Sequence, residues 1–195
     1  MRQNPERRAA LLDAAIEVLA RDGARGLTFR AVDVEANVPN GTASNYFNNR
    51  DDLLTQVGHR YYERLEPDDA VLAAATAGPR DRDKVTELMR EVVDRVSRFR
   101  SGYLAVLELR LEATRRPELR RLLTERIRAD IDANIAYHTQ SGLPGDATTV
   151  ILLYLALNWL IVERLTLPDI FPEDQIDTLV TDLVERIIPD SGRAR

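Results

Sequence analysis

Residues 28–54 read TFRAVDVEANVPNGTASNYFNNRDDLL. The stretch predicts a short helix opened by Thr28, a tight turn, a second short helix over residues 41–47 and then a third helix. No acidic residue occurs from position 36 to position 50, and the predicted middle helix carries small and amide side chains beside two aromatic ones. This layout is typical of a helix-turn-helix, which lays one helix in a groove of DNA.

Each small or polar residue of this stretch has a candidate role at a DNA groove. Thr28 stands at a helix N-terminus, where a hydroxyl and backbone N–H groups can bind a phosphate. Asn45 can read an adenine through two hydrogen bonds, and Thr42 and Ala43 can contact a thymine methyl group. The predicted DNA-contacting residues are Thr28, Asn40, Gly41, Thr42, Ala43, Asn45, Tyr46 and Arg50. An alternative stays open, in which the asparagines only form turns and caps and Tyr46 belongs to the core.

Helical periodicity continues through the rest of the chain, and no period-two alternation indicates a strand. We predict an all-α fold with two domains, a three-helix helix-turn-helix domain over residues 5–65, with the helix-turn-helix at about 28–47, and a helical domain over residues 66–190. A linking helix joins the two. The first helix is expected to end at Arg21, before Gly23.

Composition excludes several kinds of site. The 195 residues include no cysteine, so disulfides, thiolate metal sites and cysteine nucleophiles are excluded. His59 and His138 are isolated, and no nucleophile–base set or phosphate loop has a supporting context, so we expect no metal, no cofactor and no enzymatic activity. The net charge of −5 divides into +1 over residues 1–50 and −6 over the remainder, which is compatible with DNA contact by the N-terminal part.

The most apolar stretch, VILLYLALNWLIV at residues 150–162, is shorter than the roughly 20 residues of a membrane span. We therefore predict a buried helix and no membrane association. The charged N-terminal residues show no secretory signal, which favours the cytoplasm.

Residues 7–54 resemble the DNA-binding domain of the TetR (tetracycline-repressor-like) family of bacterial transcription regulators. The ordered matches are Gly23, Thr28, Ala36-Asn37-Val38, Gly41, Tyr46-Phe47, Arg50-Asp51 and Leu53-Leu54, over about a quarter of the chain. The chain departs from the family pattern at four positions: Asn37 stands for a usual Gly, Pro39 for a capping Ser, and Ala43-Ser44 for Leu-Tyr.

The resemblance implies a body domain that dimerises through its last two helices, here residues 147–165 and 175–188. It also implies a pocket for an inducing ligand. The predicted lining residues are Met89, Val93, Phe99, Tyr103, Leu107, Ile131, Tyr154, Asn158 and Trp159. Asn158 is the only amide in the apolar stretch, and its partner is a ligand, a water or an interhelical hydrogen bond.

The resulting functional prediction is a cytoplasmic, homodimeric repressor that binds a near-palindromic double-stranded DNA operator and is released by a small, largely apolar effector. The alternative is an all-α small-molecule-binding or interaction protein with a vestigial helix-turn-helix.

Overall fold

Nine α-helices and one 3-10 helix follow one another in the computed structural model, which describes residues 4–188. No strand occurs among these residues, and the predicted all-α fold is confirmed. The α-helices are α1 (Pro5–Gly26), α2 (Phe29–Glu35), α3 (Arg50–Leu65), α4 (Asp69–Thr76), α5 (Arg82–Arg98), α6 (Arg100–Ala113), α7 (Pro117–Gln140), α8 (Ala147–Thr166) and α9 (Glu173–Ile187).

Side-chain caps fix where several helices begin. Thr28 accepts a hydrogen bond from the Ala31 backbone N–H at 3.1 Å, and Asn49 accepts one from the Asp52 N–H at 2.9 Å. These caps satisfy N–H groups that have no partner within the helix. The predicted start of α2 at Thr28 is thereby confirmed.

The predicted end of the first helix before Gly23 agrees with the backbone, because Gly23 interrupts the helix with a φ of 67° and a ψ of −178°, which are not helical. Such a conformation is open to glycine because it lacks a Cβ. A short further helical segment then extends α1 to Gly26.

Packing divides the chain into two units. The first comprises the residues up to Glu66 together with Phe99–Arg126, and the second comprises Pro67–Arg98 together with the residues from Ile127 on. The sequence predicts a domain boundary between positions 65 and 66. It does not indicate that α6 and the start of α7 pack with the N-terminal helices.

The first unit has an apolar core supplied by α1, α2, α3, α6 and the start of α7. Leu11, Ile16, Val32, Leu53 and Leu109 are among its completely buried residues. Burial of each such side chain contributes about 1.5–3 kcal/mol before the cost of ordering the chain. This core holds α2 against α1 and so fixes the position of the segment that follows α2.

The second unit has its own core, in which α5, α8 and α9 pack on one another. Side chains also hold the end of α4 within this unit. The Lys84 ammonium donates to the Ala74 carbonyl at 2.8 Å, and the Tyr137 hydroxyl donates to the Ala75 carbonyl at 2.6 Å. Lys84 is the only lysine of the chain, beside 26 arginines.

Helix α8 has two apolar faces rather than one. Val150, Leu153 and Leu157 point into the protein, whereas Leu155 and Trp159 are exposed to 58% and 66%. Among the described residues it is the one helix with the length and hydropathy of a membrane span, and 33% of it is buried. The prediction of a buried helix therefore holds for one face only.

Candidate nucleic-acid interface

The turn after α2 reverses the chain through Asn37, whose φ is +52°. Asparagine adopts this left-handed conformation more readily than most residues, which explains how it stands where the family pattern has Gly. The Val38 backbone N–H donates to the Asp33 carbonyl at 3.0 Å and closes the turn.

The segment that follows, residues 40–47, is called the recognition turn below. It contains a 3-10 helix, Ala43–Asn45, instead of the predicted helix over residues 41–47. The Thr42 hydroxyl donates to the Pro39 carbonyl at 2.5 Å and the Ser44 hydroxyl to the Gly41 carbonyl at 2.8 Å. Side-chain bonds of this kind compete with helical ones and favour a short, tight turn.

Asp33 organises the recognition turn from below. Its side chain is 1% exposed, and its two carboxylate oxygens accept the backbone N–H groups of Gly41 and Ala43, each at 2.7 Å. The sequence pattern alone did not predict this role of Asp33. The available signal was an acid on the inward face of α2, since the spacing of one helical face joins Phe29, Val32, Asp33 and Ala36.

The predicted DNA-contacting residues are not equally accessible. Those that are exposed are Thr28, Asn40, Gly41 and Asn45, and those that are partly buried are Thr42, Tyr46 and Arg50. These seven stay candidates for contact with DNA.

The predicted contact of Ala43 with a thymine methyl group does not agree with the structure. Ala43 is 0% exposed and lies in the core of the first unit, so its methyl group cannot contact a thymine. The short 3-10 turn directs it inward, since Asp33 holds its backbone N–H.

Two of the candidates also serve the protein itself. Tyr46 packs against the apolar core of the first unit, as the structural alternative for this residue anticipated. The Arg50 guanidinium donates to the backbone carbonyl of Ala24 at the end of α1. Their predicted phosphate contacts must therefore come from the parts of these side chains that remain accessible.

Three arginines outside the predicted set lie in the N-terminal part of the chain. Arg7, Arg25 and Arg30 are exposed, and they form no ion pair within residues 4–188. Arg30 lines an open cleft of about 420 Å³ together with Phe29, Asp33, Asn40 and Gly41. Exposed cations beside a recognition segment are suited to phosphate contact. Their signal in the sequence is weak because other arginines of the same region, such as Arg21, are paired with acids.

The predicted ligand-lining residues are divided between the two units. Those in the first are Phe99, Tyr103 and Leu107, and those in the second are Met89, Val93, Ile131, Tyr154, Asn158 and Trp159. Phe99 stacks on Tyr61 at 6.0 Å between ring centroids and lies 3.9 Å from the Arg64 guanidinium carbon.

Two of these lining residues have a different setting from the one predicted. Trp159 lies on the outer face of α8, which is a correction of its predicted place in an interior pocket. The Asn158 amide donates to the Tyr154 carbonyl within α8 at 2.8 Å, in line with a structural role. The predicted pocket itself stays a prediction.

Comparison with known proteins gives two family matches along the chain. The family described as "Bacterial regulatory proteins, tetR family" matches residues 11–57, and "Tetracyclin repressor-like, C-terminal domain" matches residues 80–190. The second match covers more than half of the chain.

Curated relatives include two transcriptional regulators. The HTH-type transcriptional regulator BetI of Rhizobium meliloti (strain 1021) is 34% identical over 120 residues, which are 61% of this chain and 58% of that protein. BetI of Agrobacterium fabrum (strain C58) is 28% identical over 134 residues, 67% of this chain and 64% of that protein. The chain thus spans less than two thirds of the length of these curated relatives.

Solved structures match over nearly the whole chain. A member of the TetR family from Streptomyces coelicolor A3 is 28% identical with a TM-score of 0.66, covering 95% of this chain and 100% of that one. The multidrug binding protein EbrR, complexed with ethidium, is 29% identical with a TM-score of 0.65 and the same coverage. The chain therefore belongs to the TetR family of helix-turn-helix transcriptional regulators and is not an enzyme.

Proposed function

We propose that this regulator is a cytoplasmic repressor that binds a near-palindromic operator as a homodimer and leaves it when a small, largely apolar effector binds. One observation carries the proposal: the recognition turn presents Asn40, Gly41 and Asn45 at an exposed surface, in a segment without acidic residues. Amide side chains at such a surface can read base edges, and a backbone without a Cβ permits close approach.

The outer face of α8 supports a homodimer. Its exposed apolar residues are Ile151, Leu152, Leu155 and Trp159, and Leu167 and Ile170 follow directly after the helix. Large exposed apolar patches mark sites of association. Among the described residues α9 exposes no large apolar side chain, so the proposed interface is centred on α8 rather than shared equally by both helices.

A dimer suits the operator that we propose. Two copies of one recognition turn address two half-sites about one helical turn of DNA apart, so a two-fold protein selects a near-palindromic sequence. The chain's overall charge of −5 gives little general attraction to DNA, and affinity then depends on this paired geometry.

The effector class is proposed from the family and from one relative. EbrR, with 29% identity, is a multidrug binding protein whose structure contains ethidium. For this chain we propose an effector bound within the second unit, beside the predicted lining residues Met89, Val93, Ile131 and Tyr154. Binding would shift the population toward a dimer whose recognition turns no longer match successive major grooves.

The proposal is tested by gel shift with the DNA upstream of the protein's own gene and of its neighbours. Wild-type protein should bind one of these duplexes, and Asn45→Ala should lose about tenfold or more in affinity, since a bidentate base contact contributes about 1–3 kcal/mol. Asn134→Ala, which removes an exposed amide from α7, is the matched control and should bind like the wild type.

The alternative protein with a vestigial helix-turn-helix gives a different result. It would bind small molecules while showing no salt-dependent affinity for any of these duplexes. Equal binding by wild type and Asn45→Ala would also contradict the proposed recognition surface.

A further inference from the structure

Asp33 carries a feature that the proposed function does not by itself require. A buried carboxylate is costly unless hydrogen bonds satisfy it. Here the Oδ2 atom accepts from the Gly41 N–H and the Oδ1 atom from the Ala43 N–H, both at 2.7 Å, and the residue is 1% exposed. Both bonded amides belong to the segment that faces DNA.

These two bonds determine how the recognition turn begins. Gly41 has a φ of +90°, and the next residues form i to i+3 bonds, such as Asn45 N–H to Thr42 carbonyl at 3.0 Å. Holding alternate amides on one carboxylate fixes the direction of the chain between them. The two hydrogen bonds to Asp33 are called the clamp below. Asn40 and Asn45 lie on either side of the clamp and therefore project from a backbone that α2 positions.

The clamp also changes the electrostatics of the turn. N–H groups at the start of a helical segment ordinarily attract phosphate. In this chain two of them are taken up by an internal carboxylate, and a negative charge lies beneath the surface that meets DNA. The charge alone opposes binding to any DNA sequence, whereas the hydrogen bonds favour one arrangement of the reading side chains.

We infer that Asp33 is a positioning residue that sets sequence discrimination: it holds the recognition turn in the conformation that reads the operator, at some expense in general DNA affinity. This inference rests on the proposed operator-binding function. Asp33 touches no base or phosphate in this account and acts through the backbone of Gly41 and Ala43.

The test is the Asp33→Asn variant, measured against two duplexes by fluorescence anisotropy. One duplex is selected by wild-type protein from a random pool, and the other is a scrambled sequence of the same composition. An amide keeps one acceptor oxygen but turns an N–H donor toward the second backbone amide, so one clamp bond is lost. The preference for the selected duplex should fall about tenfold, the size of one lost base contact, while affinity for the scrambled duplex stays equal or rises.

Glu35→Gln is the matched control, because it removes one negative charge from the same helix without touching the recognition turn. Glu35 is paired with Arg21 on the surface. The control should change affinity for both duplexes in the same proportion and leave the preference intact.

Three results would overturn the inference. The first is a folded Asp33→Asn protein with unchanged preference. The second is a parallel loss of affinity for both duplexes together with a lowered Tm, which is the pattern of a merely structural role. The third needs no variant: rapid hydrogen exchange of the Gly41 and Ala43 amides in the wild type, where protection is expected. If wild-type protein enriches no duplex from the pool, the proposed operator binding fails and this inference fails with it.

Discussion

At the scale of single residues, one residue near the end of α1, Ala24, binds side chains of both α3 and α6. Gly23 breaks the helix, and the next residue, Ala24, donates its backbone N–H to the Glu108 carboxylate of α6 at 2.9 Å. The Ala24 carbonyl accepts from the Arg50 guanidinium at the start of α3. The Glu108 side chain thus satisfies a backbone N–H that the break in α1 leaves without a helical partner.

The break predicts a specific sensitivity at Gly23. The variant Gly23→Ala should lower the free energy of unfolding by about 1–3 kcal/mol, because an L side chain is strained at this φ and ψ. The new Cβ itself would only be in ordinary van der Waals contact with the Glu108 Oε2 atom, at 3.4 Å, so the cost comes from the backbone conformation. Urea denaturation measures the loss.

Gly78→Ala is the matched control for Gly23→Ala. Gly78 also has a positive φ, 82°, but an added Cβ would meet no atom within 4 Å. Its substitution should cost less, because the exposed backbone at Gly78 can relax, whereas Ala24 next to Gly23 is held by Glu108 and Arg50. An equal cost at both positions would contradict this explanation.

Glu112, also on α6, is more than a surface charge. The spacing of Glu108, Glu112 and Arg116 suggests an exposed ladder of ion pairs that contributes little. In the structure Glu112 is 9% exposed and accepts hydrogen bonds from Arg116 Nε and an Arg115 Nη, each at 2.8 Å. These bonds lower the pKa of Glu112 below its ordinary value of 4.5, with Arg116 the larger cause.

This lowered pKa predicts the pH dependence of stability. A carboxyl whose pKa is lower in the folded state stabilises the fold above its unfolded pKa, and that contribution is lost as the pH falls through the folded value. Glu112→Gln should therefore be less stable than wild type at pH 7, and the difference should shrink below pH 4.5. Unfolding curves at several pH values measure it.

Glu118→Gln provides the comparison, because the Glu118 side chain is 81% exposed and pairs with surface Arg121. It should show little difference from wild type at any pH. A difference for Glu112→Gln that does not change with pH would refute the role of its ionised form.

At the scale of helices, the sequence predicts which segments are helical better than it predicts how they end or which side is buried. The cap Thr28 follows from local chemistry and is where the sequence places it. The 3-10 geometry of the recognition turn depends on Asp33, a contact across the turn that periodicity does not reveal. For the same reason, periodicity alone predicts Ala43 at the surface, although it is buried.

Helix α8 shows the same limit. A run that is apolar on all sides predicts a helix but does not tell which face meets the protein's own core. The packing of α5 and α9 against α8 decides this and leaves Leu155 and Trp159 outside.

The exposed face of α8 predicts the effect of a charge at its centre. Leu155→Glu should convert the proposed dimer to a monomer, raising its dissociation constant at least about 100-fold, because an unpaired carboxylate is costly to bury in an apolar interface. Sedimentation velocity over a range of concentrations measures this. Leu72→Glu, at another exposed leucine on α4, should remain dimeric. A Leu155→Glu protein that stays dimeric would place the interface elsewhere.

At the scale of the whole molecule, each of the two packed units has its own apolar core, and the two family matches, over residues 11–57 and 80–190, do not follow the division between the units. Within the first unit, α6 packs on α1 and α3, and the Glu108 and Arg50 side chains hold the end of α1. The end of α1 is thereby held in part by Glu108, a residue far from it in sequence, which a motif over residues 28–54 could not predict.

The most direct test of the central claim is binding-site selection from a random duplex pool, followed by footprinting of the winning sequence. A homodimeric repressor should select two inverted half-sites whose centres lie about one helical turn, or a multiple of it, apart. One dimer should protect both half-sites and be released at high salt. Recovery of no preferred sequence, or protection of a single asymmetric site by a monomer, would contradict this claim.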